Sequence, residues 1–234
     1  MRDLPFLIRF FRVVPPVPPM MTGTFVVLTL AASAVVLADP VNAPGALVPV
    51  LLLQVFAAAS GFALPARRGH FDLLLTRGSS RMLIALVHWA TSIAPGLVSW
   101  LVLAVVESGV RGVADSSLLA AGTCAVVFVV STLPWALTVA LPRFSGAIGW
   151  MLVSVTAVTF SNGLTGALTL HSTRIDEVIR AASTFLIYPF GAIGQPLAGA
   201  QLMAALPAVT AAIGAMTAAC RWIARRDVPL EAAQ

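Results

Sequence analysis

Again and again this chain runs for about twenty residues without an acidic residue or an arginine: Met21 to Ala38, Gly45 to Leu64, Met82 to Val106, Ser117 to Leu141, Ser145 to about Thr165, and a longer run from Ala181 to Cys220. A helix needs ~20 apolar residues to cross the ~30 Å hydrocarbon core of a bilayer. With no water at that depth, a crossing backbone must satisfy its own hydrogen bonds, which a helix does. The rest of the sequence cannot offset these runs: 59% of residues are hydrophobic, 10% are charged, and the mean hydropathy is +0.96. A soluble domain is about 25% charged. The expectation is an all-α polytopic membrane protein whose solvent is lipid, forming one transmembrane domain over residues 1–234.

Ahead of the first run, Met1 to Pro19 mixes Arg2, Arg9 and Arg12 with Phe6, Leu7, Ile8, Phe10 and Phe11. That mixture predicts a short amphipathic segment lying in the headgroup zone, stopped by Pro15, Pro16, Pro18 and Pro19. The first run has a basic flank and ends in Ala-Asp-Pro, so it mimics a cleaved signal peptide; it is expected to remain as a span. A tight turn from Asp39-Pro40 to Pro44 leads to the second run. A short loop holding Glu107, Arg111 and Asp115 is expected between the third and fourth, and Pro142-Arg143 between the fourth and fifth.

The run from Ala181 to Cys220 could hold two spans, and charge decides between six crossings and seven. With the N-terminus cytoplasmic, six spans place Arg2, Arg9, Arg12, Arg67, Arg68, Arg77, Arg81, Arg143, Arg221, Arg225 and Arg226 inside, and only Arg111, Arg174 and Arg180 outside. Seven would reduce that bias from eleven against three to eight against six. The positive-inside rule favours six, with both termini cytoplasmic and the last span at Gln201 to Ile223. Residues 181–199 then need not cross. Pro189, Gly191, Gly194 and Pro196 break that segment, which predicts a re-entrant helix pair in the outer leaflet. The net charge of +5 is read as this topology, because the arginines sit at the ends of apolar runs; no nucleic-acid partner is implied.

Several chemistries are absent. All 14 basic residues are arginine, so a P-loop lysine and a Schiff-base lysine are both missing. No His-Glu-x-x-His, no Gly-x-Ser-x-Gly and no paired aspartates in facing spans occur. His171, Asp176 and Glu177 read as solvated loop charge. Cys124 and Cys220 read as buried packing thiols, without metal-ligand spacing. No catalytic residue, metal or bound cofactor is expected of this chain. The polar residues inside spans include Gln54, His88, Thr91, Ser92, Ser99, Thr132 and Thr138. His88 alone among them is ionisable, and a hydrogen-bonded packing role outweighs proton coupling for it. Small residues at Ala57/Gly61, Gly146/Gly149 and Ala211/Ala215/Ala219 suit close helix packing. Pro95 and Pro134 are candidate hinges, equally at home in a static bundle.

The stretch after the second span carries the most specific pattern. Phe71, Leu74 and Leu75 share one helical face. Asp72 opens that short helix and Arg77 closes it, as its dipole favours, and Gly78 provides a stop. The full run is Gly69-His70-Phe71-Asp72-Leu73-Leu74-Leu75-Thr76-Arg77-Gly78-Ser79-Ser80-Arg81. It resembles the coupling-helix region of permease subunits of type-2 ABC exporters, departing from many members at Gly78, where they carry proline. With the amphipathic N-terminus, six spans and the broken pair before the last, the resemblance covers nearly the whole chain. It implies a coupling helix at about 69–77, whose Gly69, Phe71, Asp72, Leu74, Leu75 and Arg77 meet a cytosolic ATPase dimer holding ATP and Mg. It further implies a second permease copy or homologue, a place in a bacterial inner membrane, and export. The scarcity of charge inside the spans suggests a hydrophobic or amphipathic cargo, on a path lined by Phe25, Phe56, Trp89, Phe128, Trp135 and Phe160. The alternative is a membrane scaffold or accessory subunit without transport activity.

Overall fold

The computed structural model describes residues 4–61, 74, 80–141, 144–151 and 200–225, with side chains in the last stretch from residue 206. Helix α1 spans Leu4–Val13, α2 Pro19–Ala38, α3 Ala43–Gly61, α4 Arg81–Arg111, α5 Ala121–Ala140 and α6 Ala200–Arg225. A 3-10 turn, Pro40–Asn42, joins α2 to α3, and 144–151 is helical. No strand occurs among the described residues. Among the described residues, five helices are long and apolar enough to cross a membrane: α2, the stretch Pro40–Gly61, α4, α5 and Leu206–Arg225 of α6.

Local chemistry sets the helix limits. Pro19 sits in the first turn of α2, where its missing N–H costs nothing and its fixed φ suits the helix. The Asp39 carboxylate accepts a 2.6 Å hydrogen bond from the Asn42 side chain and tightens the turn into α3. Gly112, at φ 90°, ends α4 in a backbone conformation that other residues rarely adopt. At 31 residues, α4 is about 46 Å long and outruns the hydrocarbon core.

The bundle is organised around α4. Helix α2 packs on α3 and α4, α3 also on α4 and α5, α6 on α5, and α1 on α4. Two apolar cores divide its length. One gathers Phe25 and Val36 of α2, Leu47 and Leu51 of α3, Leu103 of α4 and Leu118. The other gathers Leu7 and Phe11 of α1, Leu74, Ile84 of α4, Trp135 of α5 and Ile223 of α6. We call the end holding the second core the basal end. There α1 lies, α4 starts, and α3, α5 and α6 finish. Outward faces are apolar, with Val26, Val27 and Leu30 on α2 and Val98, Leu101 and Val105 on α4 exposed. Thr29, Gln54, His88, Ser92, Ser99, Glu107, Thr123, Ser131, Thr132 and Thr138 are buried instead. Polar side chains inside and large apolar ones outside is what a lipid solvent requires.

The described elements follow the expected spans with three corrections. Glu107 and Arg111 belong to the last turns of α4 and not to a loop, because the Glu107 carboxylate is satisfied by the chain that follows. Correspondingly α5 starts at Ala121 and not at Ser117, since Ser116, Ser117 and Leu118 are held in that loop as donors to Glu107. Cys124 is exposed on α5, while Cys220 is buried in the basal core; both are free thiols. Most of the fifth span, the whole re-entrant segment and most of the coupling segment lie outside the described residues.

Candidate functional site

Residues 88, 92, 96, 99, 103 and 107 recur at helical spacing along α4, and all six are buried. They form one inward stripe: His88, Ser92, Gly96, Ser99, Leu103 and Glu107. Apart from Leu103 it is small or polar, and nearly every polar member is tied to another element.

At the basal end His88 is fully buried. Its Nε2 lies 3.1 Å from the Gly61 carbonyl oxygen, and Trp135 Nε1–H donates to its Nδ1 at 3.1 Å. A carbonyl only accepts and an indole N–H only donates, so the ring is the neutral Nε2–H tautomer. Each bond meets a need that lipid cannot: Gly61 ends α3 with an orphan carbonyl, and a buried tryptophan requires an acceptor. Phe11 of α1 meets the ring edge-on, with centroids 5.4 Å apart. One imidazole thus links α1, α3, α4 and α5. Next along the stripe, the Ser92 hydroxyl donates to the His88 carbonyl at 2.7 Å, and a Cβ on Gly61 would stand 3.0 Å from that hydroxyl oxygen. Of the small-residue pairs, Gly61 therefore serves close packing, as does Gly149 against Ala59 and Phe56; no described atom lies within 4 Å of a Cβ placed on Gly146.

At the other end Glu107 is fully buried. Its Oε2 accepts from Ser116 Oγ at 2.7 Å and from the Leu118 amide at 2.9 Å. Its Oε1 accepts from Ser117 Oγ at 2.6 Å and the Ser117 amide at 3.0 Å, and Arg111 approaches to 3.4 Å. One carboxylate so fixes the whole α4–α5 connection. Between these ends, Thr29 of α2 and Ser99 of α4 share a 2.8 Å hydroxyl–hydroxyl bond. Gln54 of α3 lies directly against Gly96, where any side chain would collide with its amide. Among the described residues, neither its nitrogen nor its oxygen has a hydrogen-bond partner; nor have Trp89 Nε1, Ser131 Oγ and Thr132 Oγ1.

Beside the stripe a lateral groove of about 680 Å³ opens between α1, the proline linker and α2 on one side and α4 on the other. Phe11, Arg12, Phe25, Thr29, Pro95 and Ser99 are among its walls. Pro95 removes the helical partner of the Thr91 carbonyl, so α4 is weakest beside the groove. Pro134, the other candidate hinge, is buried on α5.

The aromatic residues expected along one path do not share one. Phe25 lines the groove, Trp135 is bonded to His88, and Phe56 packs on Trp150, with centroids 5.7 Å apart. Trp89 packs against the basal core, Phe128 is partly buried on α5, and Phe160 lies outside the described residues. Of the coupling residues, Leu74 is helical and fully buried in the basal core. Its side chain therefore contacts this chain and not a partner. Gly69, Phe71, Asp72, Leu75 and Arg77, and the breaking residues Pro189, Gly191, Gly194 and Pro196, lie outside the described residues. Among the described residues no three histidine, cysteine, aspartate or glutamate side chains gather as a metal site.

No protein-family model, characterised protein or solved structure matches this chain.

The stripe could have been found in the sequence, since His88, Ser92, Gly96 and Ser99 fall at i, i+4, i+8 and i+11. Glu107 was missed because an acid at the end of an apolar run reads as a loop residue. Only the donors of Ser116, Ser117 and Leu118, which fold back onto it, reveal otherwise. The groove has no sequence signature.

Proposed function

We propose that this chain is the transmembrane permease subunit of an ATP-driven transporter of the ABC type. It would export a hydrophobic or amphipathic substrate, with ATP and Mg held by separate cytosolic subunits beneath a pair of permeases. The observation that carries this reading is the position of Leu74. Leu74, from the motif segment that resembles a coupling helix, lies in a core to which α1, α3, α4, α5 and α6 all contribute. A coupling element must transmit a push, and Leu74 belongs to a core built from five helices. Close packing passes displacement along, because cores repack between discrete arrangements and do not deform continuously.

Three further features agree. Helices α5 and α6 both finish at the basal end, which agrees with a further span between them. The helical stretch 144–151 packs on α3, with Trp150 against Phe56 and Gly149 against Ala59. The described arginines also divide unequally: Arg9, Arg12, Arg81, Arg221 and Arg225 lie at the basal end, and Arg111 at the other. By the positive-inside rule the basal end is cytoplasmic, with both termini there and the coupling segment facing an ATPase. Lastly, a described interior without an uncompensated charge calls for an energy source outside the membrane.

The test is purification of the tagged chain in mild detergent after co-expression with candidate ATPase genes. The expected result is a stoichiometric ATP-binding subunit with vanadate-sensitive hydrolysis, lost when Asp72 and Arg77 are both changed to alanine while Leu74 is kept. A chain that purifies alone under every pairing refutes the reading and leaves the scaffold alternative.

A further inference from the structure

The lateral groove has three properties that together specify an occupant. The first is its depth. Its α4 wall runs from Thr91 to Val102 and its α2 wall from Thr22 to Leu30. At 1.5 Å per residue these are about 16 Å and 12 Å, close to the ~15 Å that one leaflet contributes to a ~30 Å hydrocarbon core. A groove made for a helix of a second copy would be expected to run the full span; this one stops near the midplane.

The second is its polarity. The deep hydroxyls, Thr29 and Ser99, are hydrogen-bonded to each other. Thr91 donates to the Val87 and His88 carbonyls. The remaining deep wall includes the exposed apolar side chains Val26, Leu30, Val98 and Val102. Nothing deep in the groove asks for a polar ligand atom.

The third is its charge. Among the described residues, Arg12 is the one charged residue in the groove lining. It stands in the last turn of amphipathic α1, where the helix meets the headgroup zone. It is exposed, and no ion pair or hydrogen bond joins it to any described residue. A lone guanidinium at the mouth of a one-leaflet-deep apolar slot matches a phosphate with an acyl chain attached.

We infer that the groove binds an anionic phospholipid of the leaflet in which α1 lies, its phosphate on Arg12 and one acyl chain between α2 and α4. Bound there, the lipid bridges α1, α2 and the Pro95 region of α4, and fills space that would otherwise be void. The site requires no ATPase, so it is separable from the transport reading.

The experiment uses the full chain reconstituted in vesicles of equal parts dioleoyl phosphatidylglycerol and dioleoyl phosphatidylcholine, then released in mild detergent for native mass spectrometry. The wild type is expected to retain one phosphatidylglycerol in preference to phosphatidylcholine. Arg12→Gln should lower that preference about fivefold, the effect of one basic residue beside an anionic leaflet; Arg12→Lys should restore most of it. Val98→Trp, which fills the slot from a lipid-facing position, should lower retention of both lipids while leaving the thermal midpoint within a few degrees. Equal retention of the two lipids by wild type overturns the inference. So does retention that neither Arg12→Gln nor Val98→Trp alters. A dimer that dissociates in Val98→Trp with lipid retention unchanged would instead make the groove an interface between copies and likewise reject the lipid.

Discussion

At the basal end of α4, His88 has both ring nitrogens engaged, by the Gly61 carbonyl and the Trp135 indole. At its other end, Glu107 has four donors from the connection to α5. Midway, Gln54 lies against Gly96 with neither amide atom paired among the described residues, beside Pro95 with its missing backbone bond and the groove along that face. The same helix is therefore fastened at both ends and slack in the middle. Buried polar groups rigidify only when satisfied. The difference places the compliant part of α4 at Pro95–Gly96, between two fixed ends. A permease that rocks about its interior would need compliance there, and a coupling element geared to the basal core would deliver motion to it.

The comparison breaks first at Glu107. Glu107→Ala should leave the Ser117 and Leu118 amides, and two hydroxyls, without their acceptor. Removing one partner from a buried charged network costs about 3–5 kcal/mol, here reduced to the extent that the serine hydroxyls find new acceptors. The expected outcome is the largest fall in thermal midpoint among these variants in mild detergent. Limited proteolysis should then cut within 112–120. Wild-type stability in Glu107→Ala would mean that the α4–α5 connection does not depend on this carboxylate.

His88 comes next. His88→Ala opens a cavity and strands the Gly61 carbonyl and the Trp135 N–H, for about 2–4 kcal/mol. His88→Phe keeps most of the volume and the edge contact with Phe11, so it should recover the packing share and lose only the two hydrogen bonds. Thermal midpoints of the pair separate those contributions. If alanine and phenylalanine behave alike, hydrogen bonding dominates the basal joint; if phenylalanine behaves as wild type, the joint is a packing contact only.

A smaller effect is expected between the ends. Thr29→Val keeps the shape of the side chain and removes the interhelical bond to Ser99. Such bonds in membranes average about 0.6 kcal/mol and reach about 1.7. A double-mutant cycle with Ser99→Ala, read from thermal midpoints, should give coupling of that size. Coupling near zero would detach α2 from the polar stripe and leave it held by apolar packing alone.

These same positions show how far the sequence could be read. The spans were legible because lipid makes a simple demand, twenty apolar residues without charge, and α2, α3, α5 and α6 meet it within a few residues of the expected limits. The end of α4 was not legible, because what keeps Glu107 helical is supplied by residues 116–118 folding back, and hydropathy has no means of registering that return. The role of His88 was legible in kind, a hydrogen-bonded packing residue, but not in partners, since Gly61 and Trp135 lie 27 and 47 residues away. Leu74 shows the opposite limit. Its spacing with Phe71 and Leu75 predicts an apolar helical face, yet periodicity cannot say whether such a face is covered by a partner or by the chain itself. The structure buries Leu74 in the chain's own core, so an ATPase seated on this segment would read other side chains.

Gln54 sharpens the comparison with the smallest expected effect and the opposite sign. At the two ends, deleting a buried polar group should destabilise, because its partners are left unpaired. At the middle, no described residue is a partner to be stranded. Gln54→Leu has nearly the same length and exchanges an unpaired amide for methyl groups; replacing polar atoms by apolar ones of similar shape is close to neutral or stabilising. The thermal midpoint should therefore stay level or rise slightly. On the proposed permease reading, if the amide is kept for motion, finding a partner only when α4 bends at Pro95–Gly96, the variant should lose transport or ATPase stimulation while remaining folded. A clear fall in midpoint would mean that Gln54 is satisfied in the membrane, and α4 would then be fastened along its whole length.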